Sequence, residues 1–351
     1  MLRSKLTIFF ARAFLLALGF LHCLIAPVGF AQTPDDYATA AAQFHAGEYV
    51  DAARLFQKAE AAAPGKTDAL LFAAKAFVHL EKYADADHSL HAYLGERPDS
   101  PEALYLLGYV LNRENRPAES LAVYTKAAAL QPPLGDDLKV VGLDYVLLND
   151  YADAIHWLEK AVQLDSQNYE AWYFLGRAYY TRTRIAEAGE AFKKALQLKP
   201  HDWKAENNLG LVLEAEARPA EAIEAYRSAI AWEQTEAAQS EQPYLNLGSI
   251  LLDQDRSEEA LPSLEQAAKL GATNPVCHLK LGIAFLRLSK LEEAQKELEA
   301  AAQLDPENAA THFQLGKLYK AMHAMDRAQK EFARAAEIQS REVAGAVRKK
   351  D

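Results

Sequence analysis

Large and small side chains recur along this chain with a fixed step. Small residues stand at Ala40, Ala74, Gly108, Gly142, Gly176 and Gly210 at intervals of 34, then at Gly248 after 38, then at Gly282 and Gly316 at 34 again. Twelve residues beyond each stands another small residue, from Ala52, Ala86, Ser120 and Ala154 through Ala188, Ala222, Ala260 and Ala294 to Ala328. Four further on lies a large one: Phe56, Leu90, Tyr124, Leu158, Phe192, Tyr226, Leu264, Leu298 and Phe332. The two columns never exchange. A third column, three residues past the large one, is small from Ala59 to Ala335 except at Tyr93. Within one unit, residues 169–200, Trp172, Leu175, Gly176 and Tyr179 follow three-and-four spacing, as do Ala188, Phe192 and Ala195. That spacing predicts two amphipathic helices joined by a short turn, a helical hairpin repeated nine times. Gly176 set against Ala188 and Ala195 is expected to bring the two backbones together, with Phe192 and Tyr179 filling the space around them.

The boundaries follow helix chemistry. Ser100 before Pro101 and Asn274 before Pro275 read as N-caps with a first-turn proline; Pro64, Pro98, Pro132, Pro200 and Pro306 stop the preceding helices. Pro117 and Pro219 open second helices. The extra four residues, near 237–240, fall between the second helix of unit six and the first of unit seven. They predict either a helix longer by about one turn or a partner-specific protrusion around Trp232 to Gln242.

The columns Trp172, Leu175, Gly176, Tyr179, Ala188, Phe192, Ala195 and Pro200 resemble the signature of the tetratricopeptide repeat family, and weaker copies cover residues 33–342. Thr39 and Ala40 replace the Leu-Gly pair in unit one, and Ser166 replaces proline in unit four. The resemblance implies an all-α solenoid of about nine hairpins, a right-handed superhelix whose first helices line a concave groove and hold protein partners. Placed by that pattern, one inner row runs Tyr37, Leu71, Tyr105, Lys139, Tyr173, Asn207, Leu245, Leu279 and Phe313. Its neighbour runs Ala38, Phe72, Leu106, Val140, Phe174, Asn208, Asn246, Lys280 and Gln314. Units two to five thus offer an aromatic stripe, Phe72, Tyr105, Tyr109, Tyr173, Phe174 and Tyr180. Aromatic side chains with polar tips anchor interfaces well, because they bury much area for little rotamer entropy. The stripe is expected to dock an extended peptide or a helix, the competing reading being ordinary packing between adjacent first helices. Asn208 and Asn246, at equivalent places in consecutive units, are read either as amide rungs for a peptide backbone or as a solvated pair. The Lys, Asn and Arg set with which some family members hold a C-terminal carboxylate is incomplete in every unit triplet.

Charge and the chain ends refine this picture. Residues 1–12 carry three cations, residues 13–26 are almost wholly apolar, and Gly29 and Ala31 end the segment, which reads as a signal peptide cut after Ala31. Its apolar run, roughly 21 Å as a helix, is short for a bilayer, and an uncleaved anchor is the alternative. Membrane contact is expected only in that case, and His22 before Cys23 argues against lipidation. The whole chain has net charge −11; Arg3, Lys5 and Arg12 with no acid lie in the leader, so removing those three charges leaves −14, which excludes nonspecific binding to nucleic acid. Without Cys23 only Cys277 remains, so no intramolecular disulfide is expected. After residue 342 only the tail 343–351 is left to cap the last hairpin. The face around Met325, Ala328 and Phe332 is therefore expected to be partly bare, a route to homo-oligomers through the C-terminal repeat.

No Gly-rich phosphate loop, HExxH or GxSxG motif is present. Cys277 sits near a first-helix start, where the dipole lowers a thiol pKa, but the repeat places no His or Asn beside it, which favours a small packing residue. Asp87, His88 and His91 cluster on one helix, and their outward register favours solvation over a metal site. No cofactor or metal is expected. The sequence predicts a noncatalytic protein-interaction scaffold, exported to the periplasm or secreted. Its alternatives are an accessory subunit that positions substrate for a separate enzyme and an oligomerising envelope-assembly component.

Overall fold

A computed structural model of the chain describes residues 35–65, 68–234 and 239–348. The predicted leader at 1–31 with Cys23, residues 237 and 238 of the insertion, and residues 349–351 of the tail lie outside the described residues. The described residues form eighteen α-helices and no strand, paired in chain order as nine hairpins. These are α1 (Asp36–His45) with α2 (Tyr49–Ala62), α3 (Ala69–His79) with α4 (Tyr83–Glu96), and α5 (Pro101–Arg113) with α6 (Pro117–Leu130). Next come α7 (Gly135–Leu147) with α8 (Tyr151–Leu164), α9 (Tyr169–Thr181) with α10 (Ile185–Leu198), and α11 (Trp203–Ala215) with α12 (Pro219–Glu233). The last three are α13 (Gln242–Asp253) with α14 (Ser257–Leu270), α15 (Pro275–Arg287) with α16 (Leu291–Leu304), and α17 (Ala309–Ala321) with α18 (Met325–Arg348).

Six of the nine first helices, α1, α5, α9, α11, α15 and α17, begin on side-chain caps. Ser100 Oγ accepts from the Ala103 amide at 3.4 Å and Asn274 Oδ1 from Val276 at 3.0 Å, as their sequence predicted. Asn168, Asp202 and Asn308 do the same for α9, α11 and α17. Each hairpin turn is closed the same way. The residue at Gly47, Glu81, Asn115, Asn149, Thr183, Ala217, Asp255, Ser289 or His323 takes a positive φ, and the next amide donates to the carbonyl five residues back, as in Arg116 N to Leu111 O at 2.9 Å. Four second helices start on an arginine, Arg116, Arg184, Arg218 or Arg256, that grips the glutamate three residues on.

The glycine column works differently from its sequence reading. A Cβ on Gly176 would lie 2.8 Å from Phe192 Cε1, so the missing side chain makes room for the large residue rather than for a second backbone. Phe192, Leu158 and Tyr226 are accordingly fully buried against glycines of their own hairpins. The core is not continuous. One cluster runs through units one to three and ends at Leu111, one spans Leu138 to Val212, and one runs from Leu213 to Ala328. Between the first two lies a small group of Tyr124, Val140 and Val141.

Two expectations at the joints are corrected. Among the described residues the insertion does not lengthen α12 by a turn: it has 15 residues against 14 in α10. Glu233, buried at the end of α12, accepts from the Ser240 amide at 2.7 Å. The last hairpin is also less bare than predicted. The tail continues α18, which runs 24 residues against 14 in α16, and Ala328, Ala335 and Ile338 on its inner side are buried. Arg334 and Arg341 both pair with Glu307, and Met325 and Val343 are exposed large apolar groups along the helix.

Candidate functional site

Three first helices converge on a groove of about 600 Å³ across units two to four. Spacing of one and four residues puts Tyr105, Leu106 and Tyr109 of α5 on its floor, Val140 and Lys139 come from α7, and Lys75 reaches in from α3. Tyr105 Oη donates to the Gln131 carbonyl at 2.6 Å, and its ring leans on Tyr124 at 5.8 Å between centroids. Tyr109 meets Tyr83 edge-on at 6.4 Å. Burial, aided by Asp137 for Tyr105 and by Tyr83 for Tyr109, pushes both phenols above the usual tyrosine range, so both stay neutral donors.

Both lysines beside this floor are paired within the chain. Lys75 Nζ lies 2.6 Å from Glu102, and Lys139 Nζ lies 2.7 Å from Glu170 and 3.0 Å from Asp136. Lys139 thereby ties unit four to unit five. Asp137 accepts from the Leu134 amide at 2.7 Å, and burial raises its carboxyl above the ordinary aspartate value. The groove therefore presents a polar-tipped aromatic floor inside a rim whose two lysines are held by carboxylates, with Leu134 standing exposed at its edge.

The other predicted residues do not join it. Phe72 packs among Tyr37, Phe44 and Phe56, with ring centroids 6.3, 6.0 and 5.5 Å away, and belongs to the core of units one and two. Tyr173 and Phe174 form a second aromatic patch on α9, where Tyr173 stacks on Tyr169 at 6.2 Å and the Arg177 guanidinium sits 5.9 and 5.8 Å from the two rings. Tyr180 leans on the core of units four to six. The two asparagines do not form a ladder: Asn208 Nδ2 donates to the Lys204 carbonyl at 2.7 Å, while Asn246 donates to Asn207 at 2.9 Å and accepts from Gln242 at 3.3 Å. Asn246 thus has both amide ends engaged within the chain. The groove residues missed from sequence, Glu102, Gln131, Leu134, Asp136 and Asp137, sit in inter-unit connections and first turns, where the repeat pattern carries no signal.

The remaining candidates resolve as packing or surface. Cys277 is fully buried, and that burial pushes its thiol up to about 11, the reverse of activation by a helix start. His91 Nδ1 stands 3.2 Å from Asp87, and among the described residues no three His, Cys, Asp or Glu side chains are placed to share a metal ion. No helix of the described residues is long and apolar enough to cross a membrane.

Stacked helical hairpins with first helices around an inner groove define an α-solenoid built for contact along its length. The chain belongs to the tetratricopeptide repeat family, whose profiles match residues 73–134, 142–202, 190–243, 241–273 and 287–322. Among curated relatives, protein bimA of Emericella nidulans is 24% identical over 138 residues, which is 39% of this chain and 17% of that protein. Anaphase-promoting complex subunit 3 of Schizosaccharomyces pombe is 23% identical over 145 residues, 41% of this chain and 22% of the relative. The chain thus matches only about a fifth of the length of these relatives. Among solved structures, the Cut9–Hcn1 hetero-tetramer of the APC/C superposes with a TM-score of 0.59 at 16% identity, covering 81% of this chain and 55% of that one. PilF of Pseudomonas aeruginosa gives 0.53 at 19% identity over 61% and 96%, and the type IV pilus biogenesis factor PilW gives 0.51 at 22% over 56% and 90%. At these identities the likeness establishes the shared fold.

Proposed function

We propose that this chain is a noncatalytic interaction scaffold that takes an extended segment of a protein partner into the groove across units two to four. The observation that carries this reading is the floor of Tyr105, Leu106 and Tyr109, half-buried aromatic and aliphatic groups within a rim whose lysines are already held by carboxylates of the chain. Such a surface gains by covering apolar area and does not require a charged ligand. A preformed solenoid contributes the shape in advance, so little ordering entropy is lost by the scaffold on binding. The Cut9–Hcn1 structure is a precedent for a protein of this fold held in a hetero-oligomer. The cationic and apolar segment at residues 1–31 supports action in the periplasm or a secretory compartment.

Affinity capture from an envelope extract tests this with the full chain and two variants. Tyr105→Ala with Tyr109→Ala is expected to lower partner recovery at least about tenfold, since interface anchors contribute more than about 1 kcal/mol each. Tyr173→Ala, outside the groove, should bind as wild type, and circular dichroism should be unchanged in both. Equal recovery by all three chains overturns the assignment.

A further inference from the structure

Three polar residues break the repeat at one joint. Asp144 stands in the column two residues past the glycine, where Ala76, Val110, Ala178, Val212, Ile250, Ala284 and Leu318 stand elsewhere. Ser120 stands in a column that is otherwise alanine, and Asn112 where the adjacent units have Val78 and Val146. The structure brings the three together between units three and four. Asn112 Nδ2 donates to Asp144 Oδ1 at 2.8 Å; Ser120 Oγ lies 2.6 Å from Asp144 Oδ2 and 2.8 Å from the Gly108 carbonyl oxygen. Asp144 and Ser120 are both fully buried.

The protons do not suffice for an ionised carboxylate. Ser120 has one hydroxyl proton and faces two acceptors, each at hydrogen-bond distance. With Asp144 charged, one of the two short oxygen contacts has no proton between its atoms. A proton on Oδ2 completes the chain: Asn112 donates to Oδ1, Oδ2 donates to Ser120 Oγ, and Ser120 donates to the Gly108 carbonyl. The surroundings also supply no counter-charge. Across the joint Asp144 faces Asn112 and Gly108 on α5 and Ser120 and Tyr124 on α6, none of them basic. Tyr124 is itself held neutral by burial, and the other ionisable group felt on this side, Asp137 of α7, is acidic. The buried faces of α8 and α9 contain no Lys, Arg or His, and among the described residues Asp144 makes no ion pair.

We propose that the joint between units three and four is closed by a proton, with Asp144 held there as the neutral carboxylic acid, so that the joint tightens as pH falls and loosens as the carboxylate forms. Desolvation points the same way, pushing the carboxyl up to about 6 against the pull of its two donors. Because the folded value lies above the unfolded one of about 4, the stabilisation is complete below pH about 4 and is lost as pH rises through about 6. The joint is placed to matter, since the core breaks here between Leu111 and Leu138 and the proton chain bridges the gap. This inference stands independently of what the groove binds.

The test uses the full chain carrying aspartate labelled with ¹³C at Cγ. The Asp144 resonance, identified by its loss in Asp144→Asn, is expected to titrate about two pH units above the exposed aspartates. Amide exchange in α5 to α7, corrected for intrinsic rate, should slow by about 25-fold from pH 7.5 to 4.5 in wild type. It should not do so in Asp144→Asn, whose amide replaces the acidic hydroxyl as donor to Ser120. Should that variant fold poorly, Asn112→Val with Ser120→Ala and Asp144→Ala restores residues found in other units and is expected to fold with a flat profile. Titration of Asp144 together with the exposed aspartates overturns the proposal, as does a wild-type exchange profile in either variant.

Discussion

Ala217 turns the chain between α11 and α12 at φ 56, a left-handed conformation that costs a residue with a Cβ roughly 1–2 kcal/mol. Seven other hairpin turns also use a residue other than glycine at this place, and only Gly47 has the permissive one. Replacing Ala217 by Gly is expected to stabilise the full chain by about 0.5–1 kcal/mol, the relief of the backbone exceeding the added entropy of the unfolded state, as read by chemical denaturation. The sequence offered no sign of this shared turn, because its residue types vary from Glu to Thr to His. Buried columns were legible by contrast, since a side chain that must fit between two helices is restricted in size. Tyr105 and Tyr109, placed on the inner face by the repeat pattern, line the groove, while Phe72 of the same stripe does not: its ring is equally apolar on either side of a helix, and only the positions of Phe44 and Phe56 decide which side it joins.

Second helices show how an element is held by more than its buried stripe. Arg116, Arg218 and Arg256 each make two contacts to the carboxylate of the glutamate three residues on, which holds those glutamates below the usual carboxylate range. These groups are exposed, so the repeated pair orients the helix start without adding much stability. α14 carries a defect that the others lack. Pro262 lies inside it, on the exposed side, where it offers no amide to the carbonyl one turn back. Pro262→Ala should raise stability by about 1–3 kcal/mol, measured as an upward shift of the melting temperature with unchanged helicity. Repeat register predicts α14 with confidence in its period, yet is blind to a proline facing solvent, because that position touches no neighbour.

At the scale of the molecule the stack is divided. Buried apolar residues cluster within units one to three, from Leu138 to Val212 and from Leu213 onward; the last two clusters share Leu209, whereas across the joint contact narrows to Tyr124, Val140 and Val141. Solenoid stability is a sum over neighbouring units, so a weak interface lets the two sides open separately. Hydrogen exchange at neutral pH is expected to resolve two blocks, units one to three and units four to nine, with distinct opening free energies. A single exchange class across all nine units would show the joint to be as strong as the rest. The groove spans this joint, with Tyr105 and Tyr109 on one side and Lys139 and Val140 on the other, so its width depends on how the two blocks sit.

Period, helix count and fold were already written in the order of residues, because each hairpin must hide one apolar stripe against the next and a step of 34 leaves no other solution. Side-chain destinations were not. Whether an aromatic faces groove or core, whether an extra four residues lengthen a helix or a connection, and whether Asp144 meets a cation or a proton depend on which atoms arrive from other units. Those distances arise only when the hairpins stack.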